Sequence, residues 1–91
     1  MYTKQLVIKN RTGLHARPAS DFVKAAKGFS SKINIWRAGE EEEKVSAKSI
    51  VLLLSLGLGQ CELIGIEAEG ADEAAAVEAL AALIDSGFGE L

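Results

Sequence analysis

The only proline of the chain, Pro18, narrows most strongly what this sequence can fold into. Proline holds φ near the helical value and lacks an N–H, so it is tolerated in the first turn of a helix and disrupts one further along. Apolar residues follow at spacings of three and four, namely Ala19, Phe22, Val23 and Ala26. This periodicity predicts an amphipathic helix from about residue 16 to residue 27.

The single histidine of the chain lies directly before this helix, in the segment Gly-Leu-His-Ala-Arg-Pro at residues 13–18. The first N–H groups of a helix have no intrahelical partner, and together with the helix dipole they bind anions. The imidazole of His15 is a nucleophile when neutral, near pH 7. Arg17 adds a guanidinium two residues later. A nucleophile beside an anion site predicts a histidine that becomes phosphorylated.

Other roles for His15 need features that the sequence does not supply. A lone histidine is often only a surface or hydrogen-bonded residue. A zinc site would need further His or Cys ligands at suitable spacing, and the one cysteine, Cys61, is far away along the chain. A hydrolase base would need a Gly-x-Ser-x-Gly turn, which the sequence lacks. We therefore expect neither a metal nor a cofactor.

Turn residues and apolar patterns divide the chain into seven elements. Strands are predicted at residues 2–9, 32–37, 43–46 and 62–69, and helices at residues 16–27, 50–56 and from the Asp72 cap to Ser86-Gly87. The order β-α-β-β-α-β-α predicts the α+β class, an open-faced sandwich with a four-stranded antiparallel sheet and three helices on one face. No repeat or linker interrupts this order, so we expect one domain over residues 1–91.

Some local features are predicted in more detail. Gly28 is expected to take the left-handed conformation that ends the first helix. Asp72 is a suitable N-cap for the last helix. In the short helix that follows Ser49, we interpret three side chains as ordinary core residues: Leu52, Leu53 and Leu56.

Composition limits the class of protein. Apolar residues make up 48% and charged residues 25% of the chain, as in ordinary soluble domains. Apolar runs such as residues 50–54 are too short to cross a bilayer, and the first residues lack the apolar segment of a signal peptide. One cysteine can form no internal disulfide. We expect a cytoplasmic protein without membrane insertion.

Charge is distributed unevenly along the chain. Residues 1–37 carry eight Lys or Arg against Asp21 alone, whereas residues 38–91 carry two Lys against twelve acidic residues. The cations in and after the first helix predict a protein partner with an acidic face. The isoelectric point of about 5.1 and the low aromatic content argue against nucleic acid as a partner.

Four segments carry a resemblance that covers the whole chain: Gly-Leu-His-Ala-Arg-Pro (13–18), Ser-Ala-Lys-Ser-Ile (46–50), Leu-Gly-Leu (56–58) and Glu-Gly-Ala-Asp-Glu (69–73). The chain resembles the HPr family, the histidine-containing phosphocarriers of the bacterial phosphoenolpyruvate:sugar phosphotransferase system. The first two segments match the family's phosphorylated histidine and its regulatory serine, here His15 and Ser49. Leu52 and Cys61 depart from the pattern, because some members have Lys or Gly at the first position and Gly is frequent at the second.

The resemblance implies a phosphoryl shuttle and not a turnover enzyme. Enzyme I would phosphorylate Nδ1 of His15, and the IIA domains of sugar permeases would receive the phosphoryl group, with Arg17 holding it. The expected docking surface combines cations with apolar side chains of the second helix: Lys24, Lys27, Lys48, Ile50, Val51 and Leu54. We expect the carrier to be a monomer.

Ser49 has two interpretations. It is a suitable N-cap on local grounds alone, and the resemblance also makes it a regulatory phosphorylation site for an HPr kinase/phosphorylase, with a catabolite-control regulator as a further partner. Leu53-Leu54 and residues 85–90 also resemble the nitrogen-branch phosphocarrier. Regulatory paralogues lack the histidine and act only through the serine, and the presence of His15 argues against that class. A ferredoxin-like ligand- or RNA-binding domain shares the layering but would not need the His15 segment.

Overall fold

Strands and helices alternate along the computed structural model, which describes residues 1–90. The elements are β1 (Tyr2–Val7), α1 (Ala16–Lys27), β2 (Lys32–Arg37), β3 (Val45–Ser46), α2 (Ile50–Ser55), β4 (Leu63–Glu69) and α3 (Glu73–Asp85). Single 3-10 turns lie at Glu41–Glu43 and Gly87–Gly89. This order is the predicted one, and the bounds of α1 and β2 agree with the sequence analysis.

The four strands form one antiparallel sheet in the order β1-β4-β2-β3. Ile66 of β4 lies opposite Lys4 on one side and Ile35 on the other, so β4 is at the centre of the sheet. The α+β open-faced sandwich is therefore confirmed. Because the first and last strands pair with each other, residues far apart in sequence are brought to the same edge.

The core lies between the sheet and its helices. Alternate residues of the strands point toward the helices, since side chains along a strand alternate between the two faces. Their partners come from the apolar stripes of α1 and α3. The fully buried core residues include Ile33, Ile35, Ile64, Ile66, Phe22, Val77, Leu80 and Ile84. This packing holds α1 in place and thereby sets the direction in which its N-terminus points.

The opposite face of the sheet carries Trp36, which is nearly fully buried. Trp36 lies opposite Gly65 in the β2–β4 register, and a Cβ at Gly65 would collide with the indole ring. The ammonium of Lys44 lies 5.2 Å from the ring centroid. A glycine at position 65 is thus required for the indole to lie against the sheet.

Three predicted bounds are corrected. The first strand ends at Val7 and not at Lys9, because the left-handed backbone of Cys61 (φ 73) interrupts the ladder beside it. The third strand has only two residues, since residues 41–43 are taken into a 3-10 turn. The second helix ends at Ser55 with Leu56 as its C-cap, and Gly57 follows in the left-handed conformation with φ 62.

Two helix ends also differ from the sequence analysis. Gly28 is right-handed (φ −75), because the chain leaves α1 through a further tight turn in which the N–H of Phe29 donates to the carbonyl of Ala26. Asp72 is the N-cap residue of α3, but its carboxylate does not cap the helix. It instead accepts hydrogen bonds from the N–H groups of Ser30 and Ser31, both at 2.9 Å, and from the Ser31 hydroxyl.

Candidate functional site

His15 is the N-cap residue of α1, in an extended conformation with φ −142 and ψ 155. Its side chain is exposed and makes no capping hydrogen bond. Arg17, in the first turn of α1, is also exposed and forms no salt bridge among residues 1–90. Both predicted groups are therefore open to an incoming anion at the positive end of the helix dipole.

The first helical residue, Ala16, has φ 52, in the left-handed region that L-residues avoid. Such a conformation costs about 1–2 kcal/mol for a residue with a Cβ. Pro18 is the third residue of α1, two positions later than the first helical position that proline prefers. Because proline has no N–H, the free backbone donors of this end are those of the residues before it, at positions next to His15.

The loop before His15 rests on the loop after α2. The N–H of Leu14 donates to the carbonyl of Leu58 at 3.0 Å. Gly13 has φ 67, and a Cβ there would lie 2.5 Å from the same oxygen and 2.7 Å from Cα of Gly59. Glycine is thus required at position 13 both for its backbone angle and for this close approach.

A polar cluster at the same loop was missed by sequence reasoning. Asn10 is fully buried, and its Nδ2 donates to the Gly13 carbonyl at 2.9 Å. The carboxylate of Glu90 accepts hydrogen bonds from the Thr12 hydroxyl at 3.0 and 3.1 Å. Desolvation opposes ionisation of Glu90, but the hydrogen bonds from Asn10 and Thr12 outweigh it and lower the pKa of that carboxyl. No short-range pattern indicates contacts between residues nearly eighty positions apart.

Ser49 is the N-cap of α2, as predicted, and its hydroxyl accepts a hydrogen bond from the N–H of Leu52 at 3.2 Å. This is the ordinary capping interaction of a serine. The side chain is half-buried. Ser49 therefore lies at a helix N-terminus where a phosphate would meet free backbone donors.

The apolar side chains of α2 that the sequence predicts for docking are exposed. Val51 is 72% exposed, and Ile50 and Leu54 are also on the surface. The core assignment for this helix is confirmed for Leu53, which is fully buried, and for Leu56, which is partly buried and packs against the core. It is wrong for Leu52, which is 43% exposed. A helix of six residues that lies on a sheet buries only one narrow side, so two neighbouring leucines cannot both face inward.

The α1 cations differ in their surroundings from Lys48. Lys24 and Lys27 line a hollow of about 280 Å³ between α1 and α2, together with Ser20, Val23 and Ile50. The ammonium of Lys48 donates to the carbonyl of Phe29, just beyond α1, at 2.7 Å. The structure thus brings Lys24, Lys27 and Ile50 together, whereas the head group of Lys48 is held by the backbone.

Within residues 1–90, no group of three or more His, Cys, Asp or Glu side chains could hold a metal ion. No helix in the same range is long and apolar enough to cross a membrane. Cys61 is exposed and has a left-handed backbone with φ 73, a conformation that glycine adopts without strain.

The family model described as "PTS HPr component phosphorylation site" matches residues 2–86. The chain belongs to the HPr family. It is 48% identical over 84 residues to the phosphocarrier protein HPr of Haemophilus influenzae, covering 92% of this chain and 95% of that protein. It is 47% identical over 85 residues to the HPr-like protein Crh of Halalkalibacterium halodurans, covering 93% and 98%. The crystal structure of HPr-C-His from Thermoanaerobacter tengcongensis has a TM-score of 0.93 at 47% identity, covering 100% of this chain and 99% of that one.

Membership of the HPr family makes this chain a phosphocarrier-type protein of the phosphotransferase system. Phosphohistidine chemistry and sugar transport are the properties that go with this family. The open-faced sandwich of this HPr-family chain is the fold of the solved HPr structures.

Proposed function

We propose that this HPr-family chain accepts a phosphoryl group from enzyme I on Nδ1 of His15 and passes it to IIA domains of sugar permeases. The neutral imidazole attacks phosphorus with the Nδ1 lone pair, and the new N–P bond forms as the bond to the donor breaks. The observation that carries the proposal is the exposed, uncapped imidazole at the N-terminus of α1, two residues before the exposed Arg17. The chain returns to its starting state only after a second transfer, so it is a carrier and not a turnover enzyme.

Arg17 and the free N–H groups of α1 would hold the phosphoryl group and stabilise the charge that develops during in-line transfer. Binding must remain moderate, because a phosphate held too tightly in the ground state would slow the next transfer. The partner would complete the site by supplying the rest of the stabilisation. Docking would use the exposed apolar residues of α2 with the cations around the α1–α2 hollow: Lys24, Lys27, Ile50, Val51 and Leu54.

Lys48 also belongs to this proposed surface, but its ammonium is already bound to a backbone carbonyl. Its ammonium would have to leave the Phe29 carbonyl before it could pair with a partner carboxylate. Lys24 and Lys27 are therefore the main cations of the rim, and their effect should fall with increasing salt.

The test is incubation with enzyme I and phosphoenolpyruvate. The wild-type chain should acquire one phosphate that is labile in acid and stable in base, as expected of a phosphoramidate. His15→Ala should abolish the labelling, whereas Ser49→Ala should keep it, because Ser49 does not take part in this transfer. Full labelling of His15→Ala would overturn the proposal.

A second candidate function is regulation through Ser49. It is supported by the position of this serine at the N-terminus of α2, beside the exposed side chains of that helix. An HPr kinase/phosphorylase would phosphorylate the hydroxyl, and a catabolite-control regulator would bind the product. The Crh-like relative is consistent with this role. Incubation with such a kinase and ATP should label the wild-type chain and His15→Ala alike but not Ser49→Ala. A wild-type chain that stays unlabelled with an active kinase would contradict this role.

A further inference from the structure

An ion pair lies at the C-terminal end of α2, away from the groups that the proposed reaction uses. Nε of Arg37 donates to one carboxylate oxygen of Glu62 at 2.6 Å, and Nη2 donates to the other at 3.3 Å. Both side chains are about one third exposed, at 30% and 31%. The fork geometry of the guanidinium suits this two-point contact with a carboxylate.

The same pair also holds the backbone of the loop after α2. Nη2 of Arg37 donates to the carbonyls of Leu56 at 2.8 Å and Gly57 at 3.2 Å. The carboxylate of Glu62 accepts a hydrogen bond from the N–H of Gly59 at 2.5 Å. The hydrogen bond from Arg37, and next that from Gly59, lower the pKa of Glu62, so this contact is charged at neutral pH. One ion pair thus forms hydrogen bonds with three backbone groups of residues 56–59.

This loop is the surface on which the His15 loop lies. Leu58, in its middle, is buried and accepts the hydrogen bond from the N–H of Leu14. The backbone at Gly13 packs directly against Gly59. A displacement of the loop after α2 therefore moves the residue next to His15, with no flexible side chain between them to absorb it.

We propose that Arg37 and Glu62 are positioning residues for phosphoryl transfer at His15, acting through the loop of residues 56–59. This role rests on the proposed phosphoryl transfer at His15. The hydrogen bonds of the pair do not involve His15, Arg17 or the proposed docking residues, and the pair acts by keeping the Leu58 carbonyl where it fixes Leu14. Small misplacements of a reacting group reduce the rate of a transfer that depends on alignment.

A matched control exists elsewhere in the chain. Lys4 and Glu78 form an ion pair at 3.0 Å between β1 and α3, and Glu78 also accepts a hydrogen bond from the hydroxyl of Tyr2. This pair has no contact with residues 13–15 or 56–59 among its hydrogen bonds. Glu78→Gln therefore neutralises a carboxylate in a similar way to Glu62→Gln, without affecting the loop.

The experiment measures transfer from phosphorylated enzyme I by rapid quench, at several carrier concentrations and well below the melting temperature of each variant. Arg37→Met and Glu62→Gln should lower the saturating rate about 3- to 30-fold, with less than about a twofold change in half-saturating concentration, since the docking residues are intact. Arg37→Lys should recover only part of the rate, because one ammonium cannot bond to Glu62 and two carbonyls together. Glu78→Gln should match the wild type.

Hydrogen exchange supplies a readout that does not need the reaction. The Leu14 and Gly59 amides should exchange faster in Arg37→Met and Glu62→Gln than in the wild type. In Glu78→Gln these amides should exchange at the wild-type rate. If the wild type is phosphorylated and both loop variants transfer as fast as it does, the positioning role is overturned while the proposed function stands. An equal loss in Glu78→Gln would also overturn it, since the effect would then be general destabilisation. A wild type that accepts no phosphate would overturn the proposed function and this role with it.

Discussion

The carbonyl oxygen of Leu58 lies only 2.5 Å from the position that a β-carbon at residue 13 would take, which is too close for any residue but glycine. Gly13→Ala must also adopt φ near 67, so strain and overlap add. We expect a loss of about 2–4 kcal/mol in the free energy of unfolding, measured with urea. Gly39→Ala is the control, since Gly39 has φ 88 but nothing within 4 Å of its added carbon, and it should lose only the strain. Equal losses would show that the close approach to Leu58 is unimportant.

Replacement of Arg17 tests the anion site of α1. Arg17→Ala should slow phosphoryl transfer at least about tenfold, because a charge-assisted contact to the moving phosphoryl group is lost. Arg17→Lys should restore part of the rate, since lysine keeps the charge but not the planar fork. Arg11→Ala removes one exposed positive charge from the preceding loop and serves as the control for net charge. A wild-type rate in Arg17→Ala would remove Arg17 from the site.

Two substitutions of Ser49 separate the effect of its capping hydrogen bond from the effect of a negative charge at this position. Ser49→Ala loses the acceptor for the Leu52 N–H, which should cost about 1 kcal/mol and lower the melting temperature by roughly 4–8 °C. Ser49→Asp keeps an acceptor and adds a negative charge that the helix N-terminus accommodates, so its melting temperature should remain close to that of the wild type.

The same aspartate should nevertheless weaken the encounter with enzyme I. Its charge would lie beside the proposed apolar, cation-rimmed docking surface and repel an acidic partner, so the association rate should fall most at low salt. Stopped-flow measurements over a range of salt concentrations test this expectation. Equal acceptance of phosphate by Ser49→Asp and the wild type at low ionic strength would leave Ser49 as a cap only.

The ionisation of Asp72 should make the free energy of unfolding depend on pH in acid. Hydrogen bonds from the Ser31 hydroxyl and then from the Ser30 N–H lower the pKa of Asp72 to about 2. The unfolded chain binds this proton near pH 4, so the stabilisation is complete above about pH 4 and disappears as the pH falls through about 2. The difference in melting temperature between the wild type and Asp72→Asn should therefore shrink over this range. Ser31→Ala should raise the pKa of Asp72 in a carboxyl NMR titration, and an unchanged value would contradict the assigned cause.

Cys61 offers a stabilising substitution. Its φ of 73 costs about 1–2 kcal/mol for a residue with a β-carbon, and glycine removes this cost while losing more chain entropy on folding. Cys61→Gly should therefore raise the free energy of unfolding by about 0.5–1 kcal/mol. Cys61→Ala is the control, because it removes the thiol and retains the strain. An equal gain in both variants would assign the effect to the thiol and not to the backbone.

Much of the fold follows from short-range patterns. The bounds of α1 are predicted because Pro18 and the spacing of Phe22 and Val23 act within a few residues. The alternation of Ile33 and Ile35 predicts β2 in the same way. The position of His15 at a helix start is a local property too, so the centre of the proposed site can be identified from the chain alone.

Contacts between distant loops could not be predicted in this way. The pairing of Arg37 with Glu62 and that of Thr12 with Glu90 depend on strand register and on where the chain returns after the sheet closes. The exposure of Leu52 depends on which side of α2 faces the sheet, which a six-residue helix does not reveal in its periodicity. The sequence by itself determined the elements, their order and the histidine at a helix start, because these follow from interactions between near neighbours. Only the tertiary structure decided which side chains support that histidine, because their partners meet only when the first and last strands pair.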